Sequence, residues 1–120
     1  MTLSFRIWDI KNKKYIQSCA QAISAKGKLL IGDGYLINSL KEVDPSDYII
    51  EYCTGFKSLN GEDLYVNDYV EYKLGLKMIK GRIVFDNFRF WIYEVCGGCM
   101  EFNRHEYKVI GNYNKNSNHI

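Results

Sequence analysis

Cys96-Gly97-Gly98-Cys99 is the one spacing in this 120-residue sequence with metal or redox meaning. A structural zinc takes four protein ligands, so the pair needs two more from Cys19, Cys53, His105 or His119. A thioredoxin-like dithiol needs its first cysteine at a helix N-terminus, and Met100-Glu101-Phe102 reads as strand. The expectation is therefore a tight hairpin turn at Gly97-Gly98 with thiols flanking it in a reducing compartment, and no metal or cofactor. His105, between Arg104 and Glu106, reads as a solvated residue, and His119 lies in a polar tail. Glu62, Asp63 and Asp68 stand beside Gly and Asn, where turns call for polar side chains. With no serine elbow, metalloprotease pair or phosphate loop in the sequence, the chain is not expected to be an enzyme.

Cations beside aromatic rings are the other usable chemistry. Lys73, Lys77, Lys80 and Arg82 fall within ten residues that contain no acid. If 77–85 is a strand, Lys80 and Arg82 project from one face, because side chains alternate with a period of two. Together with Arg89 and its aromatic neighbours they form a candidate surface for single-stranded nucleic acid, by phosphate attraction and base stacking. Sixteen basic against fourteen acidic residues, a net charge of +2, do not demand a polyanionic partner. Trp8, Phe90, Trp91 and Tyr93 are candidate anchors for a protein partner or a second copy of the chain. In the run from Phe88 to Val95, Phe88, Phe90 and Ile92 share one face, and Arg89, Trp91 and Tyr93 the other.

These side chains must be positioned by short strands. Ten Tyr, six Phe, two Trp and a single proline favour a pleated, half-buried surface. Phe5 to Trp8 alternates as a strand, Lys11 to Lys14 turns, and Tyr15 to Cys19 returns. Ala20 to Ala25 offers one helical turn, too short to stand alone. Lys26-Gly27-Lys28 turns into Leu29 to Ile31, and Gly32-Asp33-Gly34 predicts a hairpin to Tyr35 to Ile37. Leu40 to Val43 can pair briefly before Pro45 opens a turn that leads to a strand over Tyr48 to Cys53. From Tyr52 to Tyr72 the pattern is strand, turn, strand, corner, strand, with turns at Thr54-Gly55 and Asn60-Gly61, the latter predicted as type I′. Lys77 to Phe85 and Phe88 to Val95 flank a loop at Asp86-Asn87, and Glu106 to Ile110 is the last strand. Turn signals between nearly every pair of runs predict an all-β fold of small sheets or a barrel.

Phe5-Arg6-x-Trp8-Asp9, Tyr52-x-Thr54-Gly55-Phe56, Asn60-Gly61, Tyr65, Asp68-Tyr69-Val70 and Ile110-Gly111-Asn112 together resemble the motifs of the YopX family of phage and prophage proteins. The resemblance is spread over the beginning, middle and end of the chain. It implies a small N-terminal β subdomain over 1–51, an SH3-like barrel over 52–113 and a frayed tail over 114–120. Asp68 is then expected to satisfy loop N–H groups and Val70 to point into the core. Asn67 stands where the family commonly has Gly, a position asking for left-handed backbone. The family carries no established activity, so no catalytic residue transfers. The chain is expected to be a non-catalytic binding or regulatory accessory of a phage or prophage in the cytoplasm of a bacterial host, with the surplus aromatics pointing to protein contact or self-assembly and nucleic-acid binding as the alternative. No run of about 18 apolar residues marks a membrane span.

Overall fold

The computed structural model describes residues 5–16, 21–24, 26–32, 40–103 and 105–116, and the side chains of Ala22 and Asn116 are not described. The chain is nearly all β, and it divides into two compact units: residues 7–50 form one, and residues 5–6 join those from 51 onward in the other.

The N-terminal unit holds short strands. β1 (Phe5–Asp9), whose last three residues fall here, pairs with β2 (Lys14–Tyr15) with Trp8 opposite Tyr15. Asp9 fixes the connecting turn, because its carboxylate accepts from the backbone and side-chain amides of Asn12 at 3.1 and 2.7 Å. Those bonds, the side-chain one first, hold the Asp9 carboxyl below its ordinary pKa. β3 (Gln21–Ile23) pairs with β4 (Leu29–Ile31), which also pairs with β5 (Lys41–Glu42). Residues 21–23 are thus strand, not the helical turn expected from sequence. Gly27, at φ +79°, lets the chain fold back so that their backbone groups find partners on β4, which a lone turn of helix lacks. The expected hairpin through Asp33, Gly34 and Tyr35 to Ile37 lies outside the described residues. A 3₁₀ turn, Pro45–Asp47, is capped by the Asp44 carboxylate on the Ser46 amide at 3.0 Å.

The C-terminal unit contains β6 (Tyr48–Lys57) from Glu51 onward and β7 (Asp63–Tyr65), followed by β8 (Asp68–Leu74), β9 (Lys77–Asp86), β10 (Arg89–Glu94), β11 (Cys99–Glu101), β12 (Lys108–Asn112) and a single helical turn, α1 (Tyr113–Asn116). Five strands form one antiparallel sheet in the order β11-β10-β9-β8-β12, curled into the SH3-like half-barrel. Alternation sends Val70 and Tyr72 of β8, Ile79 and Ile83 of β9, Phe90 and Ile92 of β10 and Val109 of β12 inward. Leu64, Phe102 and Tyr107 complete this core, with Phe102 and Tyr107 stacked at 4.8 Å.

Four turns differ from expectation. The β9–β10 loop is Asn87-Phe88 rather than Asp86-Asn87, since Arg89 pairs with Asp86, and at the β10–β11 turn Tyr93 pairs with Cys99, so the chain turns over Glu94 to Gly98 rather than at Gly97-Gly98 alone. Thr54-Gly55 does not end a strand. It is a bulge within β6, with Gly55 at φ +84°, so that β6 shifts register on β7 between Cys53 and Lys57. At Asn60-Gly61 only Gly61 has positive φ, so the turn is not type I′. The Ser58 hydroxyl organises it instead, accepting from the Asn60 and Glu62 amides.

Candidate functional site

The outer face of the five-stranded sheet is set by its hairpin turns. Leu74 faces Lys77 across Gly75-Leu76, and counting back along both strands places Tyr69 opposite Arg82. On the other side of β9, Asp86 faces Arg89 across Asn87-Phe88, and the same count places Tyr93 opposite Arg82. Tyr69, Arg82 and Tyr93 therefore form one row across three strands. Tyr113 joins them from α1, with the Arg82 guanidinium carbon 4.1 Å from its ring centroid. Together with Glu94 and Val95, these residues line a cleft of about 280 Å³.

The cleft is rich in donors. Tyr69 is buried, Arg82 half-buried, and Tyr93 and Tyr113 are 39% and 40% exposed. Arg82 makes no hydrogen bond or ion pair to the described residues, and the hydroxyls of Tyr69, Tyr93 and Tyr113 are likewise unengaged there. A guanidinium and three phenols can receive an oxyanion, and the two exposed rings can receive a flat group.

The other basic residues divide. Lys73 and Lys80 share the face of Arg82, although Lys80 lies directly across from Glu71. Lys77 is opposite Leu74 and alternates to the other face, so it is not part of a common basic surface. Arg89 is on the outer face but lies opposite Asp86 and 3.6 Å from the Glu101 carboxylate, so acids offset its charge. Among the expected aromatic anchors, Trp91 is half-buried on the outer face and donates from its indole to the Asp86 carbonyl at 2.9 Å. Phe90 points inward, 5.1 Å from Phe85 and 6.4 Å from Phe102, and belongs to the core edge rather than to an open surface. Trp8 is also unavailable, being only 6% exposed with the Tyr15 ring edge-on at 4.8 Å.

Among the described residues the thiols do not assemble into a metal site. Cys96 and Cys99 are exposed on either side of Gly97 and Gly98, at φ +95° and +93°. Among the described residues no three His, Cys, Asp or Glu side chains are grouped to hold a metal, while Cys19 and His119 lie outside them. His105 is not solvated as expected from its charged neighbours. It is half-buried and stacks at 5.1 Å on the ring of Tyr72, a buried residue of the core.

Beside the cleft lies a buried polar cluster, one member of which, Glu51, the sequence did not single out. Arg6 donates from Nε to Glu51 and from Nη2 to Asp68, both at 2.7 Å, with its guanidinium 4.5 Å from the Tyr65 ring centroid. Glu51 is fully buried and also accepts from the side-chain amides of Asn67 and Asn114. Asp68 accepts from the Tyr65 backbone amide at 3.0 Å and from Asn112. It thus satisfies a loop N–H as expected, with Val70 fully buried two residues on. Asn67 takes the left-handed backbone, at φ +75°, that a Gly would supply. These contacts join the start, middle and end of the chain through residues of the motifs quoted above. Across solved structures, YopX from Bacillus subtilis superimposes with a TM-score of 0.66, covering 97% of this chain and 96% of that one at 14% identity.

The chain has the YopX fold. Protein EF1440 from Enterococcus faecalis matches equally, with a TM-score of 0.66 over 98% of this chain and 97% of that one at 20% identity. No family model and no curated protein sequence matches the chain. At these identities the likeness to YopX concerns fold and assigns no activity. No described helix is long and apolar enough to cross a membrane.

Proposed function

We propose that this YopX-fold chain is a non-catalytic binding accessory that acts through protein contact or self-assembly. The observation that carries the reading is the pair of hairpin tips at opposite ends of β9. Leu76 is fully exposed at one tip, and Phe88, 92% exposed, sits at the other with a left-handed φ of +62°. A bulky residue held in that region costs about 1–2 kcal/mol, and a glycine would avoid the cost, which favours a use for the ring outside the fold. Light scattering over a concentration series, with affinity capture from a bacterial lysate, tests this. Association or capture that disappears in Phe88→Gly and Leu76→Ser supports the reading, and a monomer that captures nothing dependent on those residues removes it.

A second reading, single-stranded nucleic-acid binding, is favoured by Lys73, Lys80 and Arg82 sharing one face with Tyr69, Tyr93 and Tyr113. Rings interleaved with cations are how sheet surfaces hold unpaired strands. Titration of labelled oligonucleotides at several salt concentrations is its test. Binding that weakens steeply with salt supports it, and none at low salt removes it.

A further inference from the structure

We propose that the Arg82 cleft is a subsite for a nucleotide unit, taking its phosphate on the guanidinium and its base against the tyrosine rings. The proposal rests on the second reading above and narrows it to one place and one chemistry. Arg82 is half-buried and has its donors unfilled by the described residues. Such a group is favoured by an anion arriving from outside, and a planar guanidinium presents two parallel N–H groups to phosphate oxygens. Tyr69 is nine-tenths buried, lines the cleft and offers an unengaged hydroxyl. Tyr93 and Tyr113 leave ring surface open, against which a base can stack.

Two features shape the site. Lys80, two residues along β9 and thus about 7 Å away on the same face, can meet a neighbouring phosphate of a strand. Tyr113 is held between Asn112, which donates to Asp68, and Asn114, which donates to Glu51, so that wall of the cleft is fixed by the buried cluster.

The nucleotide can come free or as part of a strand, and two arms separate these sources. Thymidine 5′-monophosphate and a short oligothymidylate are titrated at low salt, followed by tyrosine fluorescence and by amide shifts at Tyr69, Tyr93 and Tyr113. The expected result is saturable binding of the oligonucleotide, weakened at least tenfold by Arg82→Gln and unchanged by Lys77→Ala on the opposite face. Inorganic phosphate is expected to bind more weakly than the monophosphate. Circular dichroism and a urea midpoint confirm that each variant is folded. Oligonucleotide binding within twofold of the parent in folded Arg82→Gln overturns this subsite while leaving the broader nucleic-acid reading in place. No binding of either nucleotide overturns both, and phosphate binding equal to that of the monophosphate overturns the role given to the rings.

Discussion

Replacing Arg6 by Ala is expected to be among the most destabilising single changes in the C-terminal unit. The guanidinium serves two carboxylates at 2.7 Å, one in a fully buried side chain and the other 5% exposed. Removing one partner of a buried ion pair typically costs 3–5 kcal/mol, because the remaining charge is left where water cannot reach it. Two features pull this toward the lower end: the Arg6 side chain is 22% exposed, so water can follow its removal, and Glu51 and Asp68 keep amide donors. Loss of the Tyr65 ring contact adds about 0.5–1 kcal/mol. The sum is about 3–4 kcal/mol, a large share of the 5–15 kcal/mol typical of a folded domain. Urea unfolding followed by tryptophan fluorescence measures it as a lower midpoint at unchanged slope. A double-mutant cycle with Glu51→Gln is expected to give a coupling of about 1–3 kcal/mol. Arg6→Ala within about 1 kcal/mol of the parent, or strict additivity with Glu51→Gln, refutes the assignment of a buried charge cluster.

Gly81→Ala is expected to cost about 1–3 kcal/mol in the same urea assay, since an added Cβ meets Ile92 Cγ2 at 2.5 Å and the Tyr93 carbonyl oxygen at 2.8 Å, and the backbone contact cannot give way. Phe88→Gly is expected to stabilise the fold by about 0.5–1 kcal/mol, the relief of left-handed strain offset in part by glycine's greater freedom when unfolded. Burial pushes the Tyr107 hydroxyl up to about 12, against an ordinary value near 10. The unfolded chain therefore ionises first, so this stability is complete below about pH 10 and is lost between about pH 10 and 12. Phe at position 107 is expected to flatten that alkaline limb when unfolding is measured against pH.

Much of the fold was legible because turns and alternation carry it. The strand around Asp68-Tyr69-Val70 and the two faces of Arg89 to Glu94 follow from local chemistry, while the left-handed residue at 67 was suggested by the family resemblance. The cleft was less legible for a reason of register. Reading Asp86-Asn87 as the loop pairs Arg82 with Trp91, whereas the true loop, Asn87-Phe88, pairs it with Tyr93. A phenylalanine in left-handed backbone is not something local preference anticipates. The signal that could have found Tyr69 was the Gly75 turn, from which the count across β8 and β9 leads to Arg82. Tyr113 could not be found this way, because β12 changes register on β8 between Val109 and Gly111. Glu51 looked like an ordinary polar position in a strand, and its burial depends on Arg6, 45 residues earlier.

The strand order has a consequence for synthesis. β12 lies beside β8 although more than 30 residues separate them, so β8 waits on the ribosome with one edge open while β9, β10 and β11 emerge and pair. Tyr113 follows immediately after that closing strand. A chain clipped before Lys108 therefore keeps every cation of β9 yet lacks Tyr113, and with it one wall of the cleft around Arg82.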